Sequence, residues 1–172
     1  MPNYPDSLIK YVLRTTGTIA LIGASANEQR ASYFVLQYLM GKGYDILPIN
    51  PGIAGKQILG RTVYASLKDV PAPVDMVDVF RNIDAVPGIL DEVLAEKDRL
   101  GIKTFWLQLG IVHEDAAAKA EAAGLTVIMD RCPKIEYGRF SGEIGWMGYN
   151  RGIIDNRKSS LPGKGGTLKH QD

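Results

Sequence analysis

The chain has 172 residues, 45% of them apolar and 23% charged, with a formal net charge of +1. That length suits one domain with a proper core. The charge balance excludes a global basic field for nucleic acid, so any anion must be met by local groups. Cys132 is the only cysteine, which excludes an internal disulfide and a cysteine-rich zinc site.

The N-terminal stretch Met1 to Arg14 carries Pro2, Pro5, Asp6 and Lys10 and lacks the apolar core of a signal peptide. No run approaches the ~18–20 apolar residues of a membrane helix. The expectation is a cytoplasmic protein with no membrane contact. Residues 5–14 predict a short helix, capped by Asp6 or Ser7, with Leu8, Ile9, Val12 and Leu13 as its stripe. Thr18 to Ile22 reads as the first strand and ends at Gly23-Ala24-Ser25. A helix over Ala31 to Met40 follows, with Phe34, Val35, Tyr38 and Leu39 at helical spacing, and Gly41 and Gly43 stop it. Tyr44 to Ile49 is the second strand, ending at Asn50-Pro51-Gly52.

A glycine-rich excursion, Gly52 to Gly60, leads into Arg61 to Tyr64 and a single turn capped by Ser66. Asp75 to Phe80 is the third main strand, Ala85 to Leu100 a long helix, and Thr104 to Leu109 the fourth strand. His113 to Ala123 is an alanine-rich helix, and Leu125 to Met129 the last strand. The strands are near-continuous apolar runs, as in a parallel sheet covered on both faces. Right-handed crossovers then give an α/β, Rossmann-like, doubly wound and mainly parallel sheet of about five strands. Residues 1–156 form the single domain, within which Ile144 to Ile154 packs on the domain or meets a second subunit. The stretch 157–172, rich in glycine and lysine, reads as a disordered tail.

In such a sheet ligands bind beyond the carboxyl ends of the strands. Gly23 allows close backbone approach, Ser25 offers a hydroxyl, and the helix behind them presents free N–H groups to a phosphate. The alternative is a tight turn that binds nothing. Dinucleotide-binding enzymes usually place a carboxylate at the second strand end to hold ribose hydroxyls; this chain has Asn50-Pro51. Lys56 and Arg61 suit an extra phosphate or are ordinary solvated loop charges. Arg81 after Phe80, and Arg30 near the helix start, meet an anion or pair with acids; for Arg81 those are Asp78 and Asp84. Gln108 reaches a ligand or is a satisfied core amide, and Gly110 permits close approach. His113 and His170 make no metal site, and no catalytic constellation stands out.

Together these segments carry a resemblance. Ile22-Gly23-Ala24-Ser25 with Arg30, Pro48-Ile49-Asn50-Pro51, Val77 to Arg81, Trp106 to Ile111 and Asp130-Arg131-Cys132-Pro133 occur in order over about Thr18 to Phe140. In these the chain resembles the stand-alone CoA-binding domain family, which is similar to the N-terminal domain of the succinyl-CoA synthetase alpha subunit. The resemblance implies coenzyme A lying across the strand ends. Gly23, Ala24 and Ser25 would approach its phosphates, Asn50, Pro51 and Lys56 its nucleotide end, Phe80 and Arg81 the adenosine or pyrophosphate, and Gln108, Leu109 and Gly110 the pantetheine. The synthetase's second domain, with its phosphorylated histidine, has no counterpart in this length, so ligase activity is not implied.

The expected function is therefore binding of CoA or an acyl-CoA, non-catalytic by itself. Its alternatives are a nicotinamide-dependent oxidoreductase and a CoA-dependent enzyme completed by a partner chain. A homo-oligomer or a partner enzyme is the macromolecular contact left open. A third reading has Cys132 exchanging disulfides with the CoA thiol.

Overall fold

A computed structural model describes residues 2–142. The expectations for Ile144 to Ile154 and for the tail lie outside the described residues. The chain runs α1 (Asp6–Thr15), β1 (Thr18–Ile22), α2 (Ala31–Gly41), β2 (Asp45–Ile49), β3 (Gln57–Ile58), β4 (Arg61–Thr62), β5 (Met76–Val79), α3 (Val86–Leu100), β6 (Thr104–Leu107), α4 (Glu114–Ala122), β7 (Thr126–Ile128) and α5 (Pro133–Ser141). The main sheet has the order β2-β1-β5-β6-β7, all parallel. The first strand, β1, lies second from one edge; the chain crosses from it to β2 at that edge and returns to β5, the central strand, on the other side of β1. The switch point of the sheet therefore lies between β1 and β5.

Alternate side chains of each strand enter two separate cores. Ala20, Ile22, Leu47, Ile49, Val77, Val79, Phe105 and Leu107 pack under α3 and α4, together with Ile89, Leu90, Val93 and Ala120. Ile19, Leu21, Ile46, Met76, Trp106 and Ile128 pack under α1, α2 and α5, with Leu13, Leu36, Leu39 and Tyr137. Both faces are dry, which is why the strands read as continuous apolar runs. At the amino end of the strands Asp75 Oδ2 accepts from the N–H groups of Gly17 and Thr18 at 2.8 and 3.0 Å, and Lys103 stands 3.4 Å from its other oxygen. Burial would raise this carboxyl's pKa, but those hydrogen bonds outweigh it and hold the group below its ordinary value.

Four local expectations change. Pro5, not Asp6 or Ser7, stands at the N-cap of α1, and no side chain caps the helix. Phe34 is exposed: α2 buries Ser32, Val35, Leu36 and Leu39, and the Phe34 ring turns out of that stripe, 6.0 Å from the Lys134 ammonium. The end of the glycine-rich excursion pairs with the segment after it in a small antiparallel hairpin of β3 and β4, with Leu59 in the left-handed region at the turn. The stretch after β7 forms α5, a helix that the apolar periodicity does not announce. Pro133 starts it, its missing N–H costing nothing at a first-turn position, and Gly142 ends it in a left-handed conformation.

Candidate functional site

Gly23 leaves β1 with φ +88°. Its N–H and that of Ala24 both donate to the Ile49 carbonyl, at 3.0 and 3.2 Å, which fastens the turn to the end of β2. On the other side the turn abuts the end of β5: a Cβ on Gly23 would lie 2.3 Å from the Phe80 carbonyl oxygen. Asn50 locks the same corner from β2. Its Nδ2 donates to the Ala24 carbonyl at 2.8 Å, and its Oδ1 accepts from the Gly52 N–H at 2.8 Å. Ser25 Oγ accepts from the Asn27 N–H, and Asn27 Oδ1 from the Gln29 N–H, a pair of side-chain turns that deliver the chain into α2.

The result is an open cleft of about 350 Å³ at the switch point, lined by Gly23, Ala24, Ser25, Arg30, Ala31, Ser32, Asn50, Phe80 and Arg81. No carboxylate among the described residues lines it. No side chain caps the N-terminus of α2 and no acid stands in its first turn, so its first N–H groups lack intrahelical partners and carry the positive end of the helix dipole. Arg30 and Arg81 are exposed and form no ion pair among the described residues. In particular, Arg81 pairs with neither Asp78 nor Asp84. Arg61, by contrast, is taken up by Asp45 at 2.6 Å.

The structure thus gathers Gly23, Ala24, Ser25, Arg30, Asn50, Phe80 and Arg81 into one cleft, and adds Ala31 and Ser32 from the helix start. Pro51 and Lys56 sit exposed on the connection after β2, and Leu109 and Gly110 are exposed on the loop after β6; none of these lines the cleft. Gln108 is buried, and its amide nitrogen donates to both oxygens of Asp78, at 2.8 and 3.0 Å. Asp78 is fully buried, in register between Leu21 and Trp106. Burial raises its pKa to about 7 against the lowering effect of the Gln108 hydrogen bond. His113 serves as the N-cap of α4, its Nδ1 accepting from the Ala116 N–H at 3.2 Å.

Cys132 stands buried at the start of α5. Burial pushes its thiol pKa up, and the charge of Asp78 adds to this, against hydrogen bonds from the Ile135 and Lys134 backbone that lower it. A buried, protonated thiol is a poor partner for disulfide exchange. Intact-mass analysis after incubation with CoA disulfide is expected to show no adduct on the native protein and an adduct once denaturant exposes Cys132. An adduct forming equally fast without denaturant would contradict this reading of the thiol.

A family profile described as "CoA binding domain" matches residues 17–138. The uncharacterized protein YneT of Bacillus subtilis is 37% identical over 137 residues, covering 80% of this chain and 97% of that protein. The alpha subunit of acetate–CoA ligase (ADP-forming) I of Pyrococcus furiosus is 34% identical over 79 residues, covering 44% of this chain and 17% of that subunit. Among solved structures, a Thermus thermophilus protein, "cell-free ID.343", superposes with a TM-score of 0.73 at 38% identity, covering 79% of this chain and 98% of that one.

Proposed function

The chain belongs to the CoA-binding domain family, and from that premise we propose that it binds coenzyme A or an acyl-CoA across the carboxyl ends of its strands, without catalysing a reaction by itself. The observation that carries the reading is the convergence of Arg30, Arg81 and the uncapped start of α2 on one cleft that no carboxylate of the described residues lines. Two guanidinium groups without an ion pair among the described residues, beside a helix N-terminus, suit the pyrophosphate of CoA. Lys56, on the flank of β2, suits the ribose phosphate, and Leu109 and Gly110, on the opposite flank, the pantetheine. Gln108 acts indirectly here, as the buried root of that second loop.

A nicotinamide dinucleotide fits less well. The end of β2 offers Asn50, whose amide is committed at both atoms to the backbone, and no acid for a ribose diol. The partial match to an acetate–CoA ligase alpha subunit favours a second reading, in which a partner chain brings an acyl-transferring centre to CoA held here.

Calorimetric titration with CoA, acetyl-CoA, NAD and NADP tests the assignment. Saturable binding of CoA or acetyl-CoA with no response to NAD is the expected result, and binding of NAD or NADP alone would overturn it. Arg81→Ala is expected to weaken CoA binding by more than ~1 kcal/mol, roughly fivefold in Kd, the scale of one charge-assisted hydrogen bond. Unchanged affinity in a folded Arg81→Ala protein would remove Arg81 from the site.

A further inference from the structure

Asp130 is one of two non-glycine residues with positive φ among the described residues, at +54°, and it does not sit in a hairpin turn as Leu59 does. It joins the loop after β7 to the loop after β6. Its Oδ1 accepts from the Gly110 N–H at 2.8 Å, and its own N–H donates to the Ile111 carbonyl at 3.2 Å. The next residue continues the seam, with the Arg131 N–H 3.4 Å from the Leu107 carbonyl and its guanidinium 2.8 Å from the Asp130 carbonyl. Gly110, held from outside in this way, is itself left-handed at φ +80°. Leu109, immediately before it, holds its side chain in solvent, 54% exposed. A loop that carries an exposed leucine between a buried glutamine and a clamped glycine is a shaped surface.

Polarity along the sheet edge gives this surface a use. From the cleft toward β2 the edge is polar, with Asn50 and Lys56. From the cleft past β5 toward β6 it adds two exposed apolar side chains, Ile83, between the exposed Asn82 and Asp84, and Leu109. A ligand anchored by a pyrophosphate at the switch point lays its uncharged arm on the apolar side. Resting on the CoA reading above, we propose that Asp130 is a positioning residue. Its carboxylate fixes the Leu109–Gly110 loop as the platform for the pantetheine arm, and so separates intact CoA from its nucleotide portion.

The test compares CoA with 3′-phosphoadenosine 5′-diphosphate, which keeps the phosphates and lacks the arm, on folded variants checked by thermal melting. Asp130→Gly keeps the backbone angle and loses the clamp. It should weaken CoA about tenfold and leave the nucleotide within about twofold, the cost of ordering on binding a loop that the clamp no longer holds. Asp130→Asn, which retains an acceptor oxygen and tolerates positive φ, should restore CoA binding to within about threefold of wild type. Leu109→Ser removes the platform side chain from the surface without touching the clamp, and should reproduce the selective loss. CoA affinity unchanged in Asp130→Gly, or an equal loss for CoA and the nucleotide, would overturn the proposal while the CoA reading stands. A wild-type protein that binds neither compound would overturn the CoA reading itself.

Discussion

Gly23→Ala should destabilise the protein by on the order of 3 kcal/mol and abolish ligand binding at the cleft. At φ +88° the left-handed conformation costs an alanine about 1–2 kcal/mol before any contact is counted. The contact is then with backbone: the new methyl would stand 2.3 Å from the Phe80 carbonyl oxygen and 2.9 Å from its carbon. Neither partner can retreat without breaking a strand connection. Phe80 is tied to β1 by its N–H on the Ile22 carbonyl at 2.8 Å, and the Gly23 turn is tied to β2 through the Ile49 carbonyl. Losing one or two such hydrogen bonds adds ~1 kcal/mol each. A domain of this size loses about 2–4 °C per kcal/mol, so thermal melting should fall by roughly 10 °C. Gly88 supplies the control: it lies inside α3, where an added methyl would find no atom within 4 Å, and Gly88→Ala should gain about 0.5–1 kcal/mol. A Gly23→Ala protein that melts within ~2 °C of wild type would mean that the end of β5 yields freely, and that the cleft is not the rigid corner described above.

Much of the fold is legible in the residues because the strands are apolar on both faces and each helix between them has its own stripe. Thr18–Ile22 is found where the sequence places it, and the other main strands differ only by residues at their ends. What escapes the sequence is held by tertiary contacts instead of periodicity. The helix α5 buries Glu136 along with Tyr137 and carries Gly138 in its middle, so its inward face does not look apolar; Arg139 at 2.7 Å from Glu136 makes that burial tolerable. Pro133 is the available signal, since proline favours the first turn of a helix. Phe34 escapes for the opposite reason: it is apolar and falls near the stripe of α2, but the helix turns it to solvent.

The site divides in the same way. Gly23, Asn50 and Arg81 are legible because strand ends in a parallel sheet must converge, and glycine, asparagine and arginine are conspicuous against apolar runs. Asp78 is not, since a carboxylate inside a strand reads as a partner for Arg81 until the register turns it to a different partner, Gln108. Asp130 is equally hidden: its left-handed backbone and its grip on Gly110 are properties of two loops distant in sequence. The residues of the cleft therefore come from residue types, and the shape of the loop beside it comes from the fold.

Asp78→Asn should stabilise the protein at alkaline pH and flatten part of its pH dependence. The Asp78 carboxyl titrates at about 7 in the folded chain, and burial is the larger cause. In the unfolded chain an aspartate titrates near 3.9. Between these values the native state holds a proton that the unfolded state has released, so stability falls as pH rises from about 4 to about 7 and levels off above. The contribution is complete below the unfolded value and lost on passing through the folded one. Asparagine has no proton to release and still offers an oxygen to the Gln108 amide. The stability difference between Asp78→Asn and wild type should therefore widen by on the order of 2–3 kcal/mol between pH 5 and pH 8, read from denaturant midpoints at each pH. The pair also joins β5 to the end of β6 beneath Phe80-Arg81 and Leu109-Gly110, so the same substitution tests whether these two loops share one support. A difference that stays constant across that range would place the Asp78 titration in the ordinary carboxylate range. The Gln108 hydrogen bonds would then outweigh burial, and a permanent charge would sit in the core beneath the arginine cleft.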